Sequence, residues 1–296
     1  MRNVLKIRFS GGLGNQLYQL AFLWYLRSKG INAVPDFCEF MYYNFHYGLE
    51  INKVLHTVYG QQIEDVEKFR HRCYYFCRDL GLKFCYHWFR LKSRYLNRML
   101  TEAEVKQMKT HELKGLHQAV LKGHWQDLNY VESVKEQFFR QLNYSLLSTP
   151  KDREIVRQIK DTVSVSVHVR RGDYLKESQY GVIRGFNYYN RAIQLMQKLC
   201  PNAVFYVFSD DIEWVRIQMQ GYNAVFIDWN KGDDSFKDLL LMSLCRHNII
   251  ANSTFSWWGA YLNRNSKKMV VCPDHWMVDE PTVGRVPVDW ILIPGE

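Results

Sequence analysis

The chain has 296 residues and a formal net charge of +9, with 47% hydrophobic and 23% charged residues. This composition is typical of a soluble globular protein and excludes a disordered or fibrous one, and the length suits two domains of ordinary size. Because no apolar run approaches the roughly 20 residues that cross a bilayer, an integral membrane protein is excluded as well.

The compartment is predicted from the N-terminus and the cysteines. Residues 1–9 have the pattern of a strand with scattered charges and not that of a signal peptide. Seven cysteines, an odd number in no repeated pattern, predict free thiols in a reducing compartment. Cys73, Cys77 and Cys85 form the only cluster, and no further ligands follow at zinc-site spacing. We therefore expect a cytoplasmic protein.

The first element is a strand at 4–9, followed by the glycine-rich turn Ser10–Gln16. A helix is predicted to follow from Leu17 and to end at Gly30. Strand, glycine-rich turn and helix can cradle a phosphate, because glycines allow close backbone approach and helix N-termini favour anions. The spacing matches neither the dinucleotide fingerprint nor a P-loop. A short strand is predicted at 31–35.

The next stretch, about 50–115, is predicted to be helical without strands. Within it, residues 67–98 hold nine Lys or Arg against two acidic residues, interleaved with aromatic side chains. One interpretation is a helical subdomain with an aromatic core and solvated charges. The sharper alternative is peripheral contact with an anionic membrane surface, at the inner face of the membrane. A polar loop at 123–130, a helical stretch at 132–147 and a boundary at 148–152 complete a domain of residues 1–150.

Strands and helices alternate regularly in the second domain, residues 151–296. Strands are predicted at 163–169, 203–208, 224–227, 248–251 and 269–272, and helices at 187–199, 212–220, 235–246 and 255–265. This order predicts a parallel, doubly wound sheet.

The first of these strands runs into a charged segment that contains His168, Arg170, Arg171 and Asp173. Ligands of open α/β sheets bind outside the carboxyl ends of the strands. Two adjacent arginines at such an end favour a phosphorylated ligand, because guanidinium groups bind phosphate oxygens in pairs. The alternative is a solvated turn whose arginines pair with nearby acidic residues.

Two further strand ends carry polar residues. Ser253, Thr254 and Ser256 could hold a phosphate with the amides of a helix N-terminus, whereas helix capping alone needs only one hydroxyl. Acidic residues near these strand ends could instead hold a divalent cation against a diphosphate; the candidates are Asp210, Asp211, Asp233 and Asp234. Because aspartates after strands also cap helices, and the arginines already supply positive charge, we predict no metal.

Four motifs together resemble the bacterial α-1,2-fucosyltransferases of glycosyltransferase family 11, over essentially the whole chain. They are Gly11–Gln16, His168–Asp173, Phe208–Asp211 and Ala251–Ala260. The resemblance implies an α/β, GT-B-like fold with two Rossmann-like domains. The donor GDP-fucose would bind residues 151–296, and residues 1–150, with a helical insertion at about 50–115, would form the acceptor side. It also implies inversion at the anomeric carbon and no cofactor or metal.

The resemblance also assigns roles to individual residues. His168 and Asp238 would lie by the guanine, Arg170 with Arg171 beside it would contact the diphosphate, and Gly14 and Asn15 would lie in a loop that closes on the donor. Ser253, Thr254, Phe255 and Ser256 would form the diphosphate-binding loop, and Asn252 beside them is a further candidate for substrate binding. Asp173 and Glu177 are the local candidates for the catalytic base, although Glu177 is one residue out of the register of related enzymes.

The sequence thus predicts transfer of L-fucose from GDP-fucose to the 2-hydroxyl of a galactose-terminated glycan. Another GDP-deoxyhexose or another fucosyl linkage remains an alternative. So does a basic nucleic-acid-binding protein, although the chain lacks the patterns of RNA- and DNA-binding modules.

Overall fold

The computed structural model describes residues 4–42, 47–56, 98–172, 174–175 and 177–296. The chain divides into two compact units, Met1–Leu142 and Asn143–Glu296. Each unit is built on a parallel sheet, so the predicted α/β class is confirmed. The sequence placed the domain boundary at 150, where a helix begins. Nearly all of the basic segment 67–98 lies outside the described residues, as do Cys73, Cys77 and Cys85.

The first unit contains a four-stranded sheet with the order β2-β1-β4-β3. Its strands are β1 (Leu5–Arg8), β2 (Ala33–Asp36), β3 (Arg98–Thr101) and β4 (Ala119–Lys122). Its helices are α1 (Leu13–Ser28), α2 (Cys38–Tyr42), α3 (Ile51–Val54), α4 (Glu102–Lys106), α5 (Thr110–Gly115), α6 (Leu128–Ser133) and α7 (Lys135–Gln141).

Helix α1 begins earlier than the sequence predicted. Gly11 has φ +76°, a left-handed conformation that favours glycine, and it lies in the short turn of residues 9–12 between β1 and α1. The helix therefore starts at Leu13, and Gly14 and Asn15 belong to its first turn, not to a loop. Most of α1 is buried, which explains why its apolar residues continue around nearly the whole helix.

The prediction that 50–115 contains no strand is wrong, because β3 lies within it. Only Leu100 of the four residues in this edge strand is buried, so no alternating pattern is visible in the sequence. Strand β4 was also missed. It is one short apolar run, and such a run does not distinguish a strand from a buried helical segment.

The second unit contains a six-stranded parallel sheet with the order β12-β9-β8-β5-β6-β7. Its strands are β5 (Val163–Val169), β6 (Ala203–Ser209), β7 (Ala224–Ile227), β8 (His247–Ile249), β9 (Val270–Pro273) and β12 (Ile291–Ile293), and β10 (His275–Met277) and β11 (Glu280–Pro281) form a small antiparallel pair. Its helices are α8 (Pro150–Asp161), α9 (Asn187–Leu199), α10 (Ile212–Gln218), α11 (Phe236–Leu244) and α12 (Thr254–Tyr261). The predicted alternation of strands and helices is confirmed. The structure also contains α8 and β10–β12, which the sequence analysis did not predict.

A buried amide network joins β5, β8 and the end of α12. The side-chain nitrogen of Asn248 donates to Ser166 Oγ at 2.7 Å and to the carbonyl of Met242 at 2.9 Å. Its oxygen accepts from Asn263 at 2.8 Å. Asn248 is fully buried. Its removal would take one hydrogen bond from each of these groups, and Ser166 Oγ would lose this partner in a site that excludes water, whereas Asn263 and the Met242 carbonyl keep bonds to Cys245.

Replacing Asn248 with alanine is expected to lower the free energy of unfolding by about 2–3 kcal/mol, because partners left unsatisfied in the core cost more than the bond itself contributed. Urea denaturation measures the change. Asn265→Ala is the control. Asn265 lies two residues after Asn263, and its side chain donates to the carbonyl of Arg246 in an exposed position. Equal stability of Asn248→Ala and the unmodified protein would contradict the role of the network.

Among the described residues, no helix is both long and apolar enough to cross a membrane. In the same part of the chain, Cys38, Cys200, Cys245 and Cys272 are free thiols.

Candidate active site

The second sheet has a topological switch point between β5 and β8. From β5 the chain passes to β6 and β7 on one side, and it then returns to the other side of β5 as β8. Ligands of doubly wound sheets bind at such a point, outside the carboxyl ends of the strands. Three segments selected from the sequence lie at the ends of β5, β6 and β8 on this edge: 168–172, 209–211 and 252–256.

The two arginines are held by the two aspartates that follow the neighbouring strand. Arg170 Nη1 lies 3.0 Å from Asp210 Oδ2, and Arg171 Nε lies 3.0 Å from Asp211 Oδ2. The guanidinium of Arg171 also stacks on Trp214 at 3.5 Å. The pairing proposed as an alternative is therefore present. Its effect is to fix both guanidinium groups at the switch point, and the Arg170 side chain remains 27% exposed.

Asp210 also fixes the backbone that follows β5. Its two carboxylate oxygens accept the N–H groups of Arg171 at 2.9 Å and Gly172 at 3.1 Å. A Cβ at Gly172 would lie 2.7 Å from Asp210 Oδ2, so this close approach requires glycine. Because Asp210 and Asp211 are engaged by arginines and amides, the geometry favours an orienting role over metal binding.

His168 is buried beside these arginines. Burial, and secondarily the charge of Arg170, lowers the pKa of His168 to about 3, so the imidazole is neutral at physiological pH. Its ring lies 5.6 Å from that of Phe255. Among the described residues, its buried Nδ1 has no hydrogen-bond partner. A neutral imidazole with an unsatisfied ring nitrogen, next to an aromatic ring, is a candidate contact for a planar heterocyclic ligand.

The serine-rich segment after β8 divides into two groups of side chains. Asn252 donates to the carbonyls of Tyr180 and Trp276 at 3.3 and 3.0 Å. Ser256 is buried, and its hydroxyl donates to the carbonyls of Ala251 and Ser253. These hydrogen bonds commit both side chains to the fold, and their predicted contact with a substrate stays a prediction.

The other group consists of Ser253, Thr254 and Phe255 at the start of α12. Ser253 occupies the N-cap position, yet its side chain makes no capping hydrogen bond. Capping therefore does not explain this serine. Thr254 and Phe255 are half-buried at the first turn. Phe255 contacts His168, which places this turn beside the end of β5.

Asp238 lies in the first turn of α11, the helix that leads into β8. Its carboxyl accepts from the side-chain nitrogen of Asn230 at 2.7 Å. Burial raises the pKa of Asp238 to about 8. A carboxyl whose pKa is raised by desolvation at this edge of the sheet is a candidate for a functional role. Asn230 was missed by the sequence analysis, although it follows β7 as Asp210 follows β6.

The assignment of Asp173 or Glu177 as the catalytic base stays a prediction. Asp173 lies outside the described residues. Glu177 is exposed and precedes the 3-10 turn Ser178–Tyr180, whose Tyr180 N–H bonds to the Glu177 carbonyl. In the described part of the chain, the carboxylate of Glu177 takes part in no ion pair.

Gly14 and Asn15 belong to the first unit. Asn15 Oδ1 accepts from Gln126 Nε2 at 3.0 Å, a partner that the sequence analysis did not select. Their predicted contact with the donor stays a prediction.

The family model described as glycosyl transferase family 11 matches residues 89–283. The chain belongs to this family. The match covers more than half of the chain and includes both arginines and the α12 segment. Membership makes the protein a glycosyltransferase, and this confirms the resemblance stated from the motifs.

Three relatives show how far the likeness extends. The alpha-1,2-colitosyltransferase of Escherichia coli is 29% identical over 98% of this chain and 99% of its own length. The O-antigen biosynthesis glycosyltransferase WbnK of Escherichia coli is 34% identical, but the match spans only about half of each chain (52% and 53%). A galactoside alpha-(1,2)-fucosyltransferase 1 of Ateles belzebuth is 35% identical over 33% of this chain and 28% of its own.

The fold is also found in a solved fucosyltransferase. NodZ from Bradyrhizobium has a TM-score of 0.53 and 15% sequence identity, with 88% of this chain and 91% of NodZ covered. At this identity the likeness concerns the fold alone. Together with the two parallel sheets, it confirms the predicted GT-B-like α/β class.

Proposed function

We propose that this protein transfers L-fucose from GDP-fucose to the 2-hydroxyl of a galactoside, with inversion and without a metal ion. The observation that carries the proposal is the pair of arginines fixed by Asp210 and Asp211 at the switch point of the second sheet. Family membership supports a glycosyl transfer, and the names of the α-1,2-transferring relatives support this linkage.

Cleavage of the fucose–phosphate bond leaves negative charge on the departing GDP and positive charge on the sugar. A guanidinium that is already oriented by Asp210 stabilises the departing diphosphate without reorganising during the reaction. The N-terminal turn of α12, with Ser253 and Thr254, adds amides and hydroxyls for the same oxygens. This set of groups supplies the charge stabilisation that a metal supplies in other transferases.

Two other side chains are suited to bind the guanine of the donor. The neutral imidazole of His168 can bond to the guanine, and Asp238 can accept from the N1–H and N2–H groups along the guanine edge. The acceptor hydroxyl would attack from the face opposite the diphosphate and lose its proton to a carboxylate, for which Asp173 and Glu177 remain our candidates.

Colitose is a specific alternative to fucose as the transferred sugar. The relative that matches the chain over nearly its whole length carries the name alpha-1,2-colitosyltransferase, and colitose is fucose without its 3-hydroxyl. A site that hydrogen-bonds the 3-hydroxyl would reject the deoxy sugar strongly, because a polar group would be left unpaired.

The deciding experiment supplies GDP-fucose and GDP-colitose separately with a panel of galactosides and determines the linkage of each product. An α-1,2-fucosylated galactoside as the preferred product supports the proposal. Preferred transfer of colitose would show that the donor is GDP-colitose and not GDP-fucose. Any other linkage would overturn the α-1,2 assignment.

Metal independence gives a further prediction. Excess EDTA is expected to leave the initial rate within about twofold, because positioned arginines and no cation neutralise the leaving diphosphate. Within the described residues, no group of three or more His, Cys, Asp or Glu is placed to hold a metal ion. A rate that collapses with EDTA and returns with Mn²⁺ would contradict the prediction.

A further inference from the structure

The first sheet has a switch point of its own, between β1 and β4. The chain leaves β1 for β2 on one side, whereas β4 pairs with β1 on the other. The carboxyl ends of β1 and β4 therefore flank a crevice of the kind that binds ligands in parallel sheets. Asn15 follows β1, Gln126 follows β4, and their side-chain amides meet at 3.0 Å although 111 residues separate them in the chain.

Gln126 is presented by a strained residue. Trp125 has φ +57°, a left-handed conformation that is rare for a bulky side chain. Strain of this kind persists only where surrounding contacts enforce it, and it concentrates at functional sites. Its position directly before Gln126 links the strain to the orientation of the amide.

Three contacts enforce the turn. Glu102 Oε2 accepts the N–H groups of His124 at 3.0 Å and Trp125 at 2.8 Å. The Trp125 ring is buried and stacks on Phe22 with 3.9 Å between ring centroids. A Cβ at Gly123 would lie only 2.7 Å from Glu102 Cβ. The fold thus fixes the conformation of residues 123–125 and gives Gln126 a defined direction.

The charges at this edge are balanced. Arg8 pairs with Asp36 at 2.9 Å, Lys122 pairs with Glu39 at 3.3 Å, and Lys106 pairs with Glu102 at 2.9 Å. Burial also lowers the pKa of His124, which favours the neutral imidazole.

The amide pair is suited to hydroxyl groups. Asn15 and Gln126 are both half-buried, and an amide both donates and accepts hydrogen bonds, as a sugar hydroxyl does. The first-unit crevice therefore matches a neutral, hydroxyl-rich ligand.

We propose that the Asn15–Gln126 amide pair binds hydroxyl groups of the acceptor saccharide. The inference rests on the proposed function, because it presumes that a sugar hydroxyl is the acceptor. It gives Asn15 a contact with the acceptor beside the donor contact predicted from the sequence, and it adds Gln126 to the residues that determine specificity.

The test is steady-state kinetics with both substrates varied, using methyl β-D-galactopyranoside as acceptor. Gln126→Ala and the nearly isosteric Gln126→Glu are expected to raise the acceptor KM at least tenfold and to leave the donor KM and the melting temperature unchanged. Asn129→Ala is the matched control, since this nearby amide is exposed and bonds to Asp127. An unchanged acceptor KM, or a raised donor KM in its place, would overturn the inference.

Two safeguards separate this inference from its premises. If Gln126→Ala fails to fold, Gln126→Glu decides the kinetic test. If the unmodified protein transfers neither fucose nor colitose to galactosides, the proposed function fails, and saturation-transfer NMR with methyl β-D-galactopyranoside then decides the inference. A signal that is present in the unmodified protein and lost in Gln126→Glu supports it, and no signal in the unmodified protein, or an equal one in both, overturns it.

Discussion

Replacing Arg170 with lysine is expected to lower turnover about 100-fold or more. An ammonium group keeps the positive charge but cannot form two parallel hydrogen bonds to phosphate oxygens. It also cannot bond to Asp210 at 3.0 Å and to the departing diphosphate in the same geometry. The loss is therefore expected in kcat, with circular dichroism and melting temperature close to those of the unmodified protein.

The control for Arg170→Lys is Arg246→Lys. Arg246 is exposed and precedes β8, so it lies at the amino edge of the same sheet, away from the switch point. This variant is expected to keep its rate within about twofold. Near-normal turnover of Arg170→Lys would remove Arg170 from the mechanism. Arg171→Lys is expected to lose less activity and more stability, because the Arg171 guanidinium also stacks on Trp214.

Replacing Asp238 with alanine is expected to weaken GDP binding by about 1.5–3 kcal/mol, or roughly 10- to 150-fold. The preference for GDP over ADP should narrow as well, because adenine lacks the paired donors that a carboxylate accepts. Titration calorimetry with both nucleotides measures the change. Asp161→Ala is the control, since Asp161 is exposed at the end of α8, before β5 begins. Unchanged GDP affinity in Asp238→Ala would leave His168 as the residue assigned to guanine binding.

The raised pKa of Asp238 is expected to make GDP binding depend on pH. With a pKa of about 8 in the free protein, Asp238 is mostly protonated at pH 6.5, whereas the guanine edge requires the carboxylate. The affinity is therefore expected to fall as pH is lowered from 8.5 to 6.5, by up to about tenfold per unit below the pKa. Asp238→Asn cannot ionise and should lose this dependence. Because the phosphates of GDP titrate equally in both proteins, the difference between the two curves isolates Asp238.

Stability should respond in the opposite direction. The pKa of Asp238 is raised in the folded state, so the stability it contributes is complete at low pH and is lost as pH rises toward 8. Asp238→Asn, which resembles the protonated form, should accordingly melt at a higher temperature than the unmodified protein at pH 8.5. A lower melting temperature there would show that desolvation is not the cause of the shifted pKa.

The α/β class, the parallel sheet of the second unit and the sheet edge that carries the candidate site could all be predicted from the amino-acid sequence. These follow from local patterns. Val163–Val169 is an uninterrupted buried strand, and the polar residues that follow 169, 209 and 249 mark the carboxyl ends of parallel strands. Strands with weak local sequence patterns were not predicted. Strand β3 buries a single leucine among its four residues, and β4 is too short to be distinguished from a helical segment.

Which side chains are committed to the fold became visible only from the three-dimensional contacts. Asn252 and Ser256 belong to the same motif as Ser253, yet their hydrogen bonds run to carbonyls distant in the chain or buried beneath the helix. Pairs such as Arg170 with Asp210, or Asn15 with Gln126, are 40 and 111 residues apart. Spacing along the chain reports only local geometry, because β-strand and helix periods extend over a few residues. Contacts across strand ends depend on the order in which the strands assemble, and that order is set by packing of the whole sheet.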